Sequence, residues 1–330
     1  MNKIKNNIIV KKLGAQRTIV TLVIITLVIV FSLASPAFRR YSTFVSIADY
    51  TYNIALMAIG VTFVLISGGV DLSIGTGIIC YAIAGGYLVK YQNMPVIVGM
   101  LVTLLFGLAI GLLNGILVAV MKIPPFLATL CTMMITRGLG TISASGFGIP
   151  WPPASAEGGW FRSIFKLEIG GTKYPVGIIL IVISAIIMTI VLNKTKVGRY
   201  IIAIGSNKEA TRLSGVDVTK YHIIAYVICG FFAGLAGIAY AATFASINPG
   251  TGAGLELDAI GGAIIGGIST TGGQGTILGA LLGVLVMSVL KSGLPYVGFQ
   301  PNWQQIITGI ILIGAVLIDI INNKKKPINK

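Results

Sequence analysis

The sequence predicts an all-α membrane protein of about ten transmembrane helices, some short or broken, with both termini cytoplasmic. Three observations carry that expectation. Apolar types make up 55% of the 330 residues and charged types only 10%. A soluble domain carries roughly 25% charged residues because its surface must face water; here that surface is missing, so most of it faces lipid. Apolar runs of about 20 residues, the length that crosses a bilayer, recur along the chain. Lysine and arginine fall mostly in the gaps between those runs, where they meet cytoplasm and lipid headgroups.

Ten segments qualify as spans: roughly 17–35, 44–66, 72–90, 94–120, 125–143, 175–192, 221–244, 255–268, 276–290 and 303–321. The third, eighth and ninth are short or glycine-rich, a pattern that suits re-entrant or broken helices. The first follows a basic stretch, and Ser32-Leu33-Ala34 is a passable signal-peptide cleavage site. Its apolar run, Thr18–Ala34, is longer than a usual signal core, so it is expected to stay. With the N-terminus inside, sixteen Lys and Arg fall on the inner side. Seven fall outside: Arg39, Arg40, Lys90, Arg162, Lys166, Lys173 and Lys291. That imbalance places both termini in the cytoplasm. The expected organisation is a cytoplasmic tail (1–16), one transmembrane domain (17–321) and a basic cytoplasmic tail (322–330). The domain includes an external loop, 144–174, and a cytoplasmic loop, 193–220.

Several classes of function are excluded. Net charge is +15, but basic residues between apolar runs meet headgroups rather than nucleic acid. Nine acidic residues and one histidine, His222, leave little material for acid–base chemistry. Cys80, Cys131 and Cys229 lie in apolar segments, at spacings that suit neither zinc nor disulfides. The chain has no G-x-x-x-x-G-K-[ST] phosphate loop; Gly272-Gly273-Gln274-Gly275-Thr276 lacks the lysine and the spacing. No metal or cofactor is expected, and ATP hydrolysis, if it powers the protein, belongs to another chain.

Charged and polar groups at bilayer depth are costly and mark function or tight structure. The candidates for a path through the membrane are Asp71, Asn114, Glu256 and Asp258. A competing reading applies to Asp71 and Asp258: an Asp before an apolar run is an ordinary helix-start signal. An acidic first turn also complements the helix dipole. The glycines between Gly261 and Gly275 permit close helix packing or non-helical backbone lining a cavity, packing being the commoner use. Gly68, Gly69 and Gly75 match Gly266, Gly267 and Gly273 in spacing, and both turns fall on the cytoplasmic side.

In the external loop, Trp151 and Trp160 read as an interfacial belt or as a docking surface for an outside partner. At the outer mouth of the last helix, Trp303 and Gln304 read as an anchor or as stacking and amide groups for a hydroxyl-rich ligand. In the cytoplasmic loop, Gly205-Ser206-Asn207 reads as a turn with a helix cap. Lys208–Leu213 follows as a short helix, which Gly215 closes. Positive-inside charge explains the six basic residues of this loop. It does not explain the glycines and the cap, which suit a rigid knob presented to a soluble partner.

Four motifs, in consistent order over residues 45 to 320, resemble the ribose-type sugar permeases of ABC importers. They are Gly60–Gly75, Gly198-Arg199-Tyr200 running on to Gly205–Val216, Pro249–Ile260, and Gly266–Ser269 with Gly272–Gly275. The resemblance implies a multi-pass subunit of the bacterial cytoplasmic membrane that carries out no bond chemistry. It implies a pore of two permease subunits, identical or similar, and two cytoplasmic ATPase domains. An extracytoplasmic binding protein would deliver a monosaccharide. The ATPases would dock on the coupling helix that matches Gly205–Gly215, with Gly205, Asn207, Ala210, Arg212, Leu213 and Gly215 as the coupling residues. The 144–174 loop is longer and more aromatic than the family pattern.

Three other readings compete. The same machinery serves other cargo, such as an autoinducer-2-type signal, a nucleoside or a branched-chain amino acid. An ion-coupled secondary transporter would need its intramembrane carboxylates for coupling. An enzyme acting on lipid-linked sugars would need several acidic or histidine residues converging at one membrane face, which a single histidine does not supply.

Overall fold

In lipid, backbone groups must be satisfied within the segment, so long apolar runs become helices. The computed structural model describes residues 2–324; of the basic tail 322–330, residues 325–330 lie outside them. Its helices are α1 (Asn2–Ala34), α2 (Tyr41–Ile66), α3 (Ile74–Tyr91), α4 (Val96–Ala119), α5 (Pro125–Ser143), α6 (Gly177–Lys194), α7 (Lys196–Ser206), α8 (Lys208–Leu213), α9 (Val218–Thr243), α10 (Leu255–Ile265), α11 (Ile277–Gly293) and α12 (Pro301–Lys324). Strand β1 (Ile149–Pro150) pairs antiparallel with β4 (Ser246–Ile247), and β2 (Leu167–Ile169) with β3 (Thr172–Tyr174).

Among the described residues, eight helices are long and apolar enough to cross a membrane. They are α2 to α6, α9, α11 and the part of α1 from Gln16 onward. The protein is an all-α, multi-pass membrane protein. Helix α12, with 24 residues, has a spanning length of about 36 Å. The expected span at 255–268 is corrected: α10 has only 11 residues, about 16 Å. The chain reaches it through the non-helical stretch from Phe244 to Gly254. The other two doubtful segments have spanning length, α3 by itself and α11 with the 3-10 turn that continues it to Val297.

A second correction concerns the loop expected at 193–220. Gly205 and Ser206 are not a turn but the last residues of α7. Its polar residues mask a single apolar stripe; Gly198, Ile201 and Ile204 are its buried face. This helix and α8 lie at one end of the bundle, the α8 end. The 144–174 loop lies at the other, the loop end.

Helix α2 forms the centre, with every residue from Tyr52 to Ile66 buried. Without a hydrophobic drive between helices in lipid, small residues set the packing. Helices α4 and α9 meet along Gly107 and Gly111 facing Gly230 and Gly234, backbone against backbone. Likewise Gly262 and Gly266 of α10 abut Gly279 and Gly283 of α11, so these two glycines serve close packing. The first helix is integral: Phe31 fills the space over Gly293 of α11. The two matching glycine turns touch at the α8 end, where Gly273 N donates to Ile66 O at 2.8 Å.

Candidate functional site

Polar residues gather in two clusters inside this bundle and again at each of its ends. The first surrounds the start of α3. Asp71 is 1% exposed. Its Oδ1 accepts from Ser73 N at 2.9 Å and from Ser73 Oγ at 2.6 Å. Asn114 of α4 donates to Ser73 Oγ at 2.9 Å and reaches Asp71 at 3.4 Å. Thr132 of α5 donates to Asn114 Oδ1 at 2.8 Å. Asp71 therefore precedes the helix start in an Asx-type turn, and no basic side chain pairs with it among the described residues. The network ties α3, α4 and α5 together.

The second group lies at the start of α10. Gly254, in a left-handed conformation with φ +93°, is the N-cap. Glu256 folds back so that both carboxylate oxygens accept from Gly254 N at 3.1 Å. Its carboxylate occupies the space beside Gly75 of α3. Asp258 lies in the first turn of α10, as a helix-start signal should, but it is not the cap: it is fully buried. Its Oδ2 accepts from Lys291 Nζ of α11 and from Tyr50 Oη of α2, each at 2.6 Å. Lys291 is thus no external loop charge but the partner of a buried carboxylate. Asp71 with Asn114 and Glu256 with Asp258 form two separate clusters.

Above the second cluster, towards the loop end, α2, α9 and the start of α10 with the stretch before it line a half-open cavity of about 210 Å³. Tyr50, Asn53, Tyr240, Phe244, Thr251 and Leu255 line it. Sequence reasoning missed it. Asn53 lies within an apolar run, and Tyr240, Phe244, Thr251 and Leu255 join it from far along the chain.

At the loop end, Trp151 is corrected as a docking residue. It is 2% exposed, donates from Nε1 to Ala82 O at 3.0 Å and packs on Phe161. Arg162, read from sequence only as an outer charge, fastens the loop. It donates to Pro152 O, Trp151 O, Ala242 O and Phe244 O, so a cation closes the C-terminus of α9. Burial pushes its pKa down. Trp160 and Trp303 remain half-exposed, and Gln304 is partly buried.

At the α8 end, the expected capping is present. Asn207 Oδ1 accepts from Ala210 N at 2.9 Å, and Gly215 follows the helix at φ +80°. Glu209 and Arg212 form an exposed ion pair at 2.7 Å, which adds little stability. Leu213 is 84% exposed, an apolar tip on a polar helix. Behind this knob, Gly205 sits against Ile66 O and Gly273 N with no room for a Cβ. Helix α7, from which the knob projects, therefore bears directly on the end of α2 and on the turn that leads to α11.

Comparison with known proteins bears on this arrangement. Residues 43–316 match the family described as branched-chain amino acid transport system / permease component. The chain is 36% identical over 320 residues to the ribose import permease protein of Escherichia coli strain K12, covering 94% of each chain. It is 34% identical over 303 residues to the galactose/methyl galactoside import permease protein of Haemophilus influenzae, covering 88% of this chain and 90% of that one. It is 32% identical over 298 residues to the ribose import permease protein of Bacillus subtilis, covering 89% of each. No solved structure matches the chain.

Proposed function

The chain belongs to the branched-chain amino acid transport system / permease component family, and from that premise we propose that it is the membrane-spanning permease subunit of an ABC importer for a monosaccharide. The relatives named for ribose and galactose import support the cargo class. The observation that carries the coupling is the α8 knob: a capped helix with an exposed Leu213, seated through Gly205 on the backbone of α2 and of the 269–275 turn. In this reading both termini and α8 are cytoplasmic. Two ATPase domains dock on α8, and a second permease subunit completes the pore. An extracytoplasmic binding protein delivers sugar to the loop end.

The mechanism is alternating access. Closure of the ATPases on ATP pushes α8. Because Gly205 has no slack against Ile66 and Gly273, the push moves the end of α2 and the α10–α11 turn together. The permease contributes a path and a lever and makes or breaks no bonds. The test is uptake of labelled ribose and galactose by vesicles holding the permease, its ATPase and its binding protein. ATP-dependent uptake is expected. A bulky residue at Gly205 or Gly215 should abolish uptake while ATP hydrolysis continues; normal uptake in such variants contradicts the coupling assignment.

The description of the family raises a second cargo, a branched-chain amino acid. A zwitterion needs a partner for each of its charges. The cavity lining carries no charged side chain, which favours a neutral cargo.

A further inference from the structure

The cavity between α2, α9 and the stretch before α10 has a chemical character of its own. Its eight lining residues are uncharged, and three of them are aromatic. Tyr240 and Phe244 stand with ring centroids 4.3 Å apart and present flat apolar surface. The hydroxyls on its wall are already engaged. Tyr50 donates to Asp258, Tyr240 donates to Thr251 at 3.2 Å, and Thr251 donates to Asn248 O at 2.7 Å.

Asn53 differs from them. It is 3% exposed, and its Oδ1 has no hydrogen-bond partner. A buried amide oxygen without a donor costs roughly 1–3 kcal/mol, so the Asn53 amide on the cavity wall gains from any rearrangement that brings it a partner. Binding sites of this kind pair mostly apolar, aromatic walls with a few polar groups that fix orientation.

We propose that this cavity is a subsite for a neutral, hydroxylated small molecule on the transport path, in which the Asn53 amide on its wall hydrogen-bonds a ligand hydroxyl over the Tyr240–Phe244 platform. The proposal rests on the reading of the chain as a sugar permease and adds the place and the groups that hold the cargo. The absence of charge sets the class: a sugar fits, and an amino acid or a sugar phosphate does not. With a single free polar group the site binds weakly, as a passage must if cargo is to leave.

The test uses the full-length chain in nanodiscs, with Cys131→Ser as background because Cys131 is exposed. A cysteine is introduced by Ala253→Cys, at an exposed position on the cavity wall, and its labelling by a polar maleimide is timed. Ribose or galactose at about ten times its half-protecting concentration should slow labelling about tenfold, and leucine should leave it unchanged. Adding Asn53→Leu should remove the protection while folding, read by size-exclusion profile, is retained. If Asn53→Leu fails to fold, Asn53→Ser takes its place and should weaken the protection. Labelling that neither sugar slows, protection by leucine equal to that by sugar, or protection that survives loss of the amide overturns the proposal. Uptake by the assembled importer is scored separately. Sugar uptake without protection sinks the subsite alone, whereas absence of sugar uptake sinks the functional reading.

Discussion

The starts of α3 and α10 carry the same signal, an Asp ahead of or within the first turn of an apolar helix, yet the bundle uses them differently. Asp71 accepts hydrogen bonds from Ser73 and Asn114 and meets no cation among the described residues. It closes a neutral-partner network across α3, α4 and α5. Asp258 is paired with Lys291 and held by Tyr50, so it joins α10, α11 and α2 by charge. One of its oxygens stays without a partner. The first cluster is a lock that is nearly satisfied. The second places an ion pair beside a cavity and on the short helix that the α8 knob reaches through the 269–275 turn. The contrast teaches that an intramembrane carboxylate is defined by what the other helices bring to it, not by its place in its own helix.

The comparison is broken most strongly at the ion pair. Lys291→Met leaves Asp258 buried without its cation and should cost about 3–5 kcal/mol, read as loss of thermal stability of the purified chain. The double variant Asp258→Leu with Lys291→Met should recover much of that loss, since an apolar pair removes both charges. If the double variant is no more stable than Lys291→Met, the two groups do not act as a pair. At the other cluster, Asp71→Ala should cost about 2–4 kcal/mol, because it orphans the buried donors of Ser73 and Asn114. Thr132→Val removes one neutral hydrogen bond to Asn114 and should cost only about 1 kcal/mol. A loss at Thr132 as large as that at Asp71 would mean that Asn114, not Asp71, is the hub. Smallest of all, Glu209→Gln in the exposed pair with Arg212 should change stability by less than about 0.5 kcal/mol.

Local features were legible in the sequence. The Asn207 cap, the six residues of α8 and the closing Gly215 follow from chemistry within one turn of the helix, and the structure has them. The number and place of most spans followed from apolar length. Length does not report continuity, so α10 looked like a marginal span rather than a helix that begins partway. Contacts between distant residues were not legible. Nothing local pairs Lys291 with Asp258, aims Arg162 at the end of α9, or brings Asn53 beside Tyr240. Trp151 misled because a tryptophan in a Pro-rich outer loop resembles an interfacial residue, while the glycines Gly86 and Gly99 open a slot that buries it. The α4–α9 seam was missed for a related reason: glycines four apart signal close packing, but the partner helix is set by the fold.

The central claim is that force enters through α8, and Leu213 tests it most directly. At 84% exposed it holds nothing together within the chain, so Leu213→Asp should leave stability within about 0.5 kcal/mol of the parent. In vesicles carrying the assembled importer, the account predicts that this variant loses ATP-driven sugar uptake by at least about tenfold, as expected when a buried interface anchor is replaced by a charge. Uptake at the parent rate, with the ATPase still bound and turning over, would contradict it.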